Sequence, residues 1–290
     1  MKYFRAIPNI EVSNITGSAT LATNILTRTE LLPSLLNNPA LFYQYDIQDG
    51  DTPEVIAAKY YGDSYRYWLV MFGNQIFDPQ WDFPLSNYNF TIYLNDKYSE
   101  VSNTCNNFIM VQPSNNYNQI LAGNFISNEV VYQGSNLEFS TASSTVINWN
   151  QSTLTLLGSN VTGTFVPGVP IIGSQSGANY TLNYSTSVSP LEYTQQVVYQ
   201  YQQIVTTVDS GTGTTSVNTY DVDEDTYNNI PLNTVLFEIA GNPPVTVTNG
   251  RNALSIFDYE MQTNEDKRTI NIIDIKYAIP LENQLISLLK

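Results

Sequence analysis

Between Lys97 and Arg251 the chain contains no lysine and no arginine. The acids in that interval are Glu100, Glu129, Glu138, Glu192, Asp209, Asp221, Asp223, Glu224, Asp225 and Glu238, so most of the formal net charge of −15 is carried by the middle of the chain. Compositional borders this sharp predict domain borders. Within residues 99–250 Ser, Thr, Asn, Gln and Gly dominate, and short β-prone runs recur. They are Phe108–Val111, Glu129–Tyr132, Ser144–Trp149, Leu154–Leu157, Pro170–Ile172, Tyr180–Tyr184, Gln196–Val208 and Val217–Val222. Short strands separated by Gly-containing turns predict an antiparallel barrel or sandwich. Gln203–Val208 and Thr214–Val222, joined by Asp209-Ser-Gly211-Thr-Gly213, read as one long hairpin. The density of Val, Ile, Phe and Tyr argues against a disordered linker.

Several absences, and the acidic balance itself, argue against whole classes of function. There is no histidine, which removes the commonest general base, the commonest metal ligand and every His-dependent triad. The single cysteine, Cys105, leaves no internal disulfide and makes a structural zinc site untenable; it reads as a small hydrophobe. The acidic balance argues against nucleic acid, whose binding requires Lys and Arg at the phosphates. No apolar run is long enough to span a bilayer, and the start MKYFRAIPNIEVSN lacks the apolar stretch of a signal peptide. No cofactor, metal, nucleic acid or membrane is therefore expected. Gly211-Thr-Gly213 lacks the Lys-Ser and helix of a phosphate loop and reads as a hairpin tip. Asp221-Val-Asp223-Glu-Asp225 alternates acids as calcium loops do, but Thr226 and Leu232 stand where the Gly and Glu belong, so it reads as a solvated turn.

The two ends are different. Residues 1–40 read as an arm, with a short helix expected within Leu21–Leu36 from the spacing of Ile25, Leu26, Leu31, Leu32, Leu35 and Leu36. Residues 41–98 carry the clearest local signals. Phe42–Ile47 alternates like a strand, and Asp49-Gly50-Asp51 is a turn. Thr52 caps a helix with Pro53 first, and Gly62 ends it. Asp63 or Ser64 caps a second helix, Tyr65–Phe72, and Phe90–Leu94 reads as a second strand. In residues 251–290, Arg268–Ile275 alternates like a strand. Pro280 is expected to start a helix whose Leu281, Leu285, Leu288 and Leu289 share one face.

Tyr45-Asp-Ile47-Gln-Asp-Gly50-Asp51-Thr52 followed by Ile56-Ala57 resembles the opening of a LysM repeat, with Leu69, Asn74, Asp78-Pro79 and Pro84 in the later positions. The stretch Ala57–Asn74, with its Tyr61-Gly62-Asp63 step, Tyr67-Trp68 pair and Met71-Phe72, resembles the baseplate wedge protein 53 family of contractile-tailed phages. The start, Tyr3-Phe4 to Pro8 with Asn24-Ile25 to Pro39, and the close, Phe257-Asp-Tyr259-Glu260 to Lys267-Arg268, are also similar to that family. The resemblance thus covers roughly residues 1–98 and 251–290. Asn148-Trp149 and Gly163 to Ala178 resemble, more weakly, a small β module of phage structural proteins.

The residue patterns and the resemblance together give an α+β fold: the resemblance implies a small LysM-like βααβ module at 41–98, while the patterning gives an arm at 1–40, a large mainly antiparallel β insert (barrel or sandwich) at 99–250, where the chain departs from the family, and a C-terminal strand and helix at 251–290. The resemblance implies a non-enzymatic virion protein of the tail baseplate, assembled in the host cytoplasm, that binds neighbouring wedge subunits and helps join wedges around the central hub. About six copies per virion are expected. The alternative is a LysM-type protein binding peptidoglycan glycans. Five aromatics, Tyr60, Tyr61, Tyr65, Tyr67 and Trp68, are too many for a module of about 55 residues to bury alone, since small domains bury only ~60% of their surface. Interface candidates are accordingly Tyr61, Tyr65, Tyr67, Trp68, Met71, Phe72, Leu281, Leu285, Leu288 and Leu289, with Gly50, Asp51 and Thr52 as the structural turn and cap.

Overall fold

The strand expected at Phe42–Ile47 forms at Phe42–Asp46, and its partner comes from the other end of the chain, at Thr269–Ile273. The computed structural model describes residues 7–13, 17, 19–24, 29, 31, 33–111, 123–238 and 243–288. In chain order these form β1 (Asn9–Ser13), β2 (Ala19–Thr23), α1 (Pro33–Leu36), β3 (Phe42–Asp46), α2 (Pro53–Tyr61), α3 (Tyr67–Gly73), α4 (Pro79–Asp82) and α5 (Asn87–Ser102). There follow β4 (Cys105–Met110), β5 (Val130–Gly134), β6 (Ser140–Asn150), β7 (Thr155–Gly163), β8 (Pro170–Gly173), β9 (Asn179–Ser187), α6 (Pro190–Gln196), β10 (Val198–Asp209) and β11 (Thr215–Val222). The last elements are α7 (Glu224–Asn229), β12 (Thr234–Phe237), β13 (Val245–Ser255), α8 (Ile256–Glu265), β14 (Thr269–Ile273) and α9 (Ile275–Leu288). They fall into two units: Met1–Asn89 with Gln262–Lys290, and Phe90–Met261.

In the first unit, Thr52 accepts at Oγ1 from the Val55 N–H at 3.4 Å and Pro53 opens α2. The missing N–H of proline costs nothing in a first turn. Gly62 ends α2 with φ 69°, and Gly50 holds φ 86° in the turn before it. Asp63 caps a single 3₁₀ turn, Ser64–Arg66, and the α-helix proper starts at Tyr67. The expected Tyr65–Phe72 helix therefore starts two residues late. Helices α2 and α3 bury Ile56, Ala57, Tyr61, Trp68, Leu69 and Val70 against Ile270, Ile272 and Ile273 of β14 and Ala278 and Leu285 of α9. Each such aliphatic side chain contributes about 1.5–3 kcal/mol by leaving water.

Several expectations are corrected here. Phe90–Leu94 is helix, within α5, and not the second strand. Ser86 Oγ accepts from the Asn89 N–H at 3.3 Å, and the buried Phe90 and Leu94 lie four residues apart on one helical face. β14 takes the place of that strand, paired antiparallel from Thr269↔Asp46 to Ile273↔Phe42. Leu21–Leu36 is not one helix: Ala19–Thr23 pairs with Asn9–Ser13, and only Pro33–Leu36 is helical, while Ile25, Leu26 and Leu32 lie outside the described residues. Pro280 does not start a helix; it lies inside α9, which begins at Ile275, where Asp274 Oδ1 accepts from the Lys276 N–H at 3.0 Å.

In the second unit β4, β7, β6, β5, β8 and β9 close an antiparallel barrel. All eight expected runs overlap strands. The barrel is filled by Phe108, Leu156, Ile171, Tyr180 and Leu182, with Phe125, Trp149 and Tyr180 clustered at ring distances of 4.9–5.6 Å. Two buried polar side chains tie its loops. Glu129 accepts from the N–H groups of Ile126, Gln175 and Ser176 and from the Ser176 hydroxyl, at 2.7–3.0 Å. Gln133 donates to Val166 O and Val169 O and accepts from the Val166 N–H. A separate four-stranded sheet has the order β11-β10-β13-β12, and its β10–β11 pair is the expected hairpin. The acidic run is a helix cap and not a bare turn: Asp223 Oδ1 accepts from the Thr226 N–H at 2.7 Å and starts α7.

Candidate docking surface

The turn and cap residues are held by a carboxylate network. Asp51 accepts from the Tyr45 hydroxyl at 2.7 Å and the Gln48 N–H at 3.1 Å, and pairs with Lys59. Burial alone would raise the Asp51 pKa, but the hydrogen bonds from Lys59, Tyr45 and Gln48 outweigh it and hold it below the usual carboxylate value. The network therefore fixes the turn as a charged, ordered edge. Beside it, Gln48–Glu54, Pro79, Gln80, Phe83–Ser86, Asn89 and Arg268 line a cleft of about 430 Å³.

The C-terminal segment clasps this region through side chains that reach backbone. Asn264 accepts from the Leu85 N–H at 2.7 Å and donates to Leu85 O at 3.1 Å. Lys267 Nζ donates to Trp81 O at 2.6 Å. Arg66 pairs with the buried Glu282 of α9 at 2.8 Å.

The candidate interface residues separate into inside and outside. Tyr61 and Trp68 are core: the Tyr61 hydroxyl donates to Ile273 O at 2.9 Å, and Trp68 stacks edge-on against Phe72. Burial is the largest cause raising the Tyr61 pKa. Leu285 is buried and Leu281 half-buried on the same core, so α9 folds back onto the first unit and keeps Leu285 inside. The interface reading of Leu285 is thereby corrected, because its side chain is buried in the core cluster that includes Trp68, Leu69 and the β14 isoleucines. The Leu288 side chain and Leu289 lie outside the described residues. Tyr67, Met71 and Phe72 are half-buried, and Tyr65 is 48% exposed.

Sequence reasoning missed the most exposed aromatics of this unit. Phe77, Trp81 and Tyr88 are 70%, 59% and 76% exposed. They lie outside the period of α3, in the Asp78-Pro79 turn region and the first turn of α5. Aromatic side chains of this size are the ones that most often anchor protein interfaces. Among the described residues no three Cys, Asp or Glu side chains are grouped to hold a metal ion, and no helix is long and apolar enough to cross a membrane.

Residues 24–132 match the family model for base plate wedge protein 53. The matched stretch contains β3, the Asp51 turn, α2, α3 and all three exposed aromatics. It supports a structural, virion-tail role in a phage baseplate. No curated protein and no solved structure matches the chain.

Proposed function

We propose that the chain is a wedge subunit that binds neighbouring baseplate proteins through exposed aromatic side chains, Tyr65, Phe77, Trp81 and Tyr88, helping to join wedges around the hub. The observation that carries the reading is the family match over residues 24–132, which includes these aromatics. The pairing of β3 with β14 presents α2 and α3 on a two-stranded sheet within the same unit as these aromatics. Aromatic side chains dominate hot spots because they bury much area at low entropic cost. The test is co-expression of the full chain with the remaining baseplate proteins of its phage. The triple variant Phe77→Ser, Trp81→Ser, Tyr88→Ser should melt like the parent yet fail to co-purify with them. Normal co-purification of the triple variant would remove this surface from the assembly.

A second reading, saccharide binding, is favoured by the cleft of about 430 Å³ between the Asp51 turn and Pro79–Asn89. Titration of the full chain with soluble peptidoglycan fragments separates the two. Saturable binding lost on Arg268→Ala, with co-assembly intact, would favour the saccharide reading.

A further inference from the structure

We propose that the outer edge of β11 is a strand-addition site for an extended, basic segment of another protein. β11 is an eight-residue edge strand, and among the described residues nothing pairs with its outer side. Its register with β10 runs without a break from Tyr201↔Val222 to Val208↔Thr215. A strand edge presents a row of unpaired N–H and C=O groups, and proteins usually blunt it with Lys, Pro, a bulge or a cover. β11 has no Lys, no Pro and no bulge, and seven of its eight residues are exposed, Val217 at 60% and Tyr220 at 53% among them. The opposite edge, β12, is only four residues long, itself a protective device.

Charge selects the occupant. Asp209, which ends β10 and accepts from the Gly211 N–H at 2.8 Å, stands at the turn end of the β10–β11 hairpin; Asp221 of β11, the α7 cap Asp223, Glu224 and Asp225 stand at the other. Within the four strands of this sheet the one base is Arg251, in β13, and it donates to Tyr227 O and Asn228 O. A second copy of this chain is therefore disfavoured. An antiparallel pairing of two β11 edges brings the Asp221 end of one against the Asp209 end of the other, and a parallel one aligns like with like. A strand with lysines or arginines at both ends meets opposite charge at each end and backbone partners between them. None of these residues lies in the segment matched by the wedge family, residues 24–132.

The test uses the full chain and a labelled synthetic peptide of about ten residues, alternating valine and threonine with lysines at both ends. Two control peptides carry glutamates in place of the lysines, or N-methyl groups on alternate amides. The lysine peptide should bind, slow hydrogen exchange at 215–222, and weaken at least about tenfold between about 50 and 500 mM salt. Both controls should bind at least about tenfold more weakly, for lack of charge or of backbone donors. Thr219→Lys and Val217→Lys should each abolish binding without moving the melting temperature. Equal binding by either control, protection elsewhere in the chain, or no binding at all would overturn the assignment. So would a dimer of the free chain with 215–222 already protected, which would make a second copy the occupant.

Discussion

The side-chain amide of Asn74 pairs with both backbone groups of Asn271: Nδ2 donates to Asn271 O at 2.8 Å, and Oδ1 accepts from the Asn271 N–H at 2.7 Å. The same Nδ2 also reaches Val70 O at 2.8 Å. One side chain thus stands in for a third strand along the free edge of β14, at the point where α3 ends. Asn74→Ala should lower unfolding free energy by about 0.5–1.5 kcal/mol, the net worth of hydrogen bonds at an exposed edge where water can take over the freed groups. Asn74→Asp should do no better, since a carboxylate would face two carbonyl oxygens. Urea unfolding checks this, with a lower midpoint and an unchanged slope expected.

The cap and stop of α2 are separable by mutation. Thr52→Ala should cost about 1 kcal/mol through loss of the bond to the Val55 N–H. Gly62→Ala should cost roughly 1–2 kcal/mol, because φ 69° places a Cβ against the following carbonyl. The two residues lie at opposite ends of the helix, so a double variant should show near-additive loss in thermal or urea melts.

Acid should act on the second unit through Glu129. Burial would raise its pKa, but the N–H donors of Ser176, Ile126 and Gln175 and the Ser176 hydroxyl outweigh that and hold it below the ordinary value of 4.5. A carboxylate whose folded pKa is depressed stabilises above its unfolded pKa and loses that contribution as pH falls through the folded value. The parent should therefore lose barrel stability progressively below about pH 4.5. Glu129→Gln should be about 1.5–3 kcal/mol less stable at neutral pH and show a flatter acid limb. Circular dichroism melts from pH 7 downward would record both.

Leu285 should behave as a core residue. Leu285→Ala should cost about 2–5 kcal/mol, the range for a deleted aliphatic that leaves a cavity. Removing the chain after Ala278 takes away Leu281, Glu282 and Leu285 together and leaves Arg66 without the carboxylate it pairs with. Limited proteolysis should then cut within residues 42–83 while the barrel strands stay resistant.

Local chemistry was readable in the sequence and long-range pairing was not. Thr52-Pro53 and Gly62 act through their nearest neighbours, and they do what their types imply. The barrel strands were readable because each alternates with its own turn residues. Phe90–Leu94 was misread because Phe-Thr-Ile-Tyr-Leu is β-prone as a run, whereas the Ser86 cap and the Phe90–Leu94 spacing that make it helical are weaker marks. The β3–β14 pair left no local trace, since its register depends on a partner beyond the whole insert. The C-terminal leucine face showed in the sequence, but what covers it, Trp68 and Leu69, is set only by that pairing. The aromatics Phe77, Trp81 and Tyr88 could be placed outside only once the interior was known to be full.

The split of the first unit between the two ends of the chain sets an order of events during synthesis. β3, α2 and α3 leave the ribosome early, yet their hydrophobic faces await Ile270, Ile272, Ile273 and Leu285. The barrel, made in between, has every strand by Ser187 and can close first. At bacterial elongation rates of about 5–20 residues per second, the early helices wait roughly 10–50 s for their cover. Stalled nascent chains ending before and after residue 273 should differ in protease resistance of the early segment but not of the barrel.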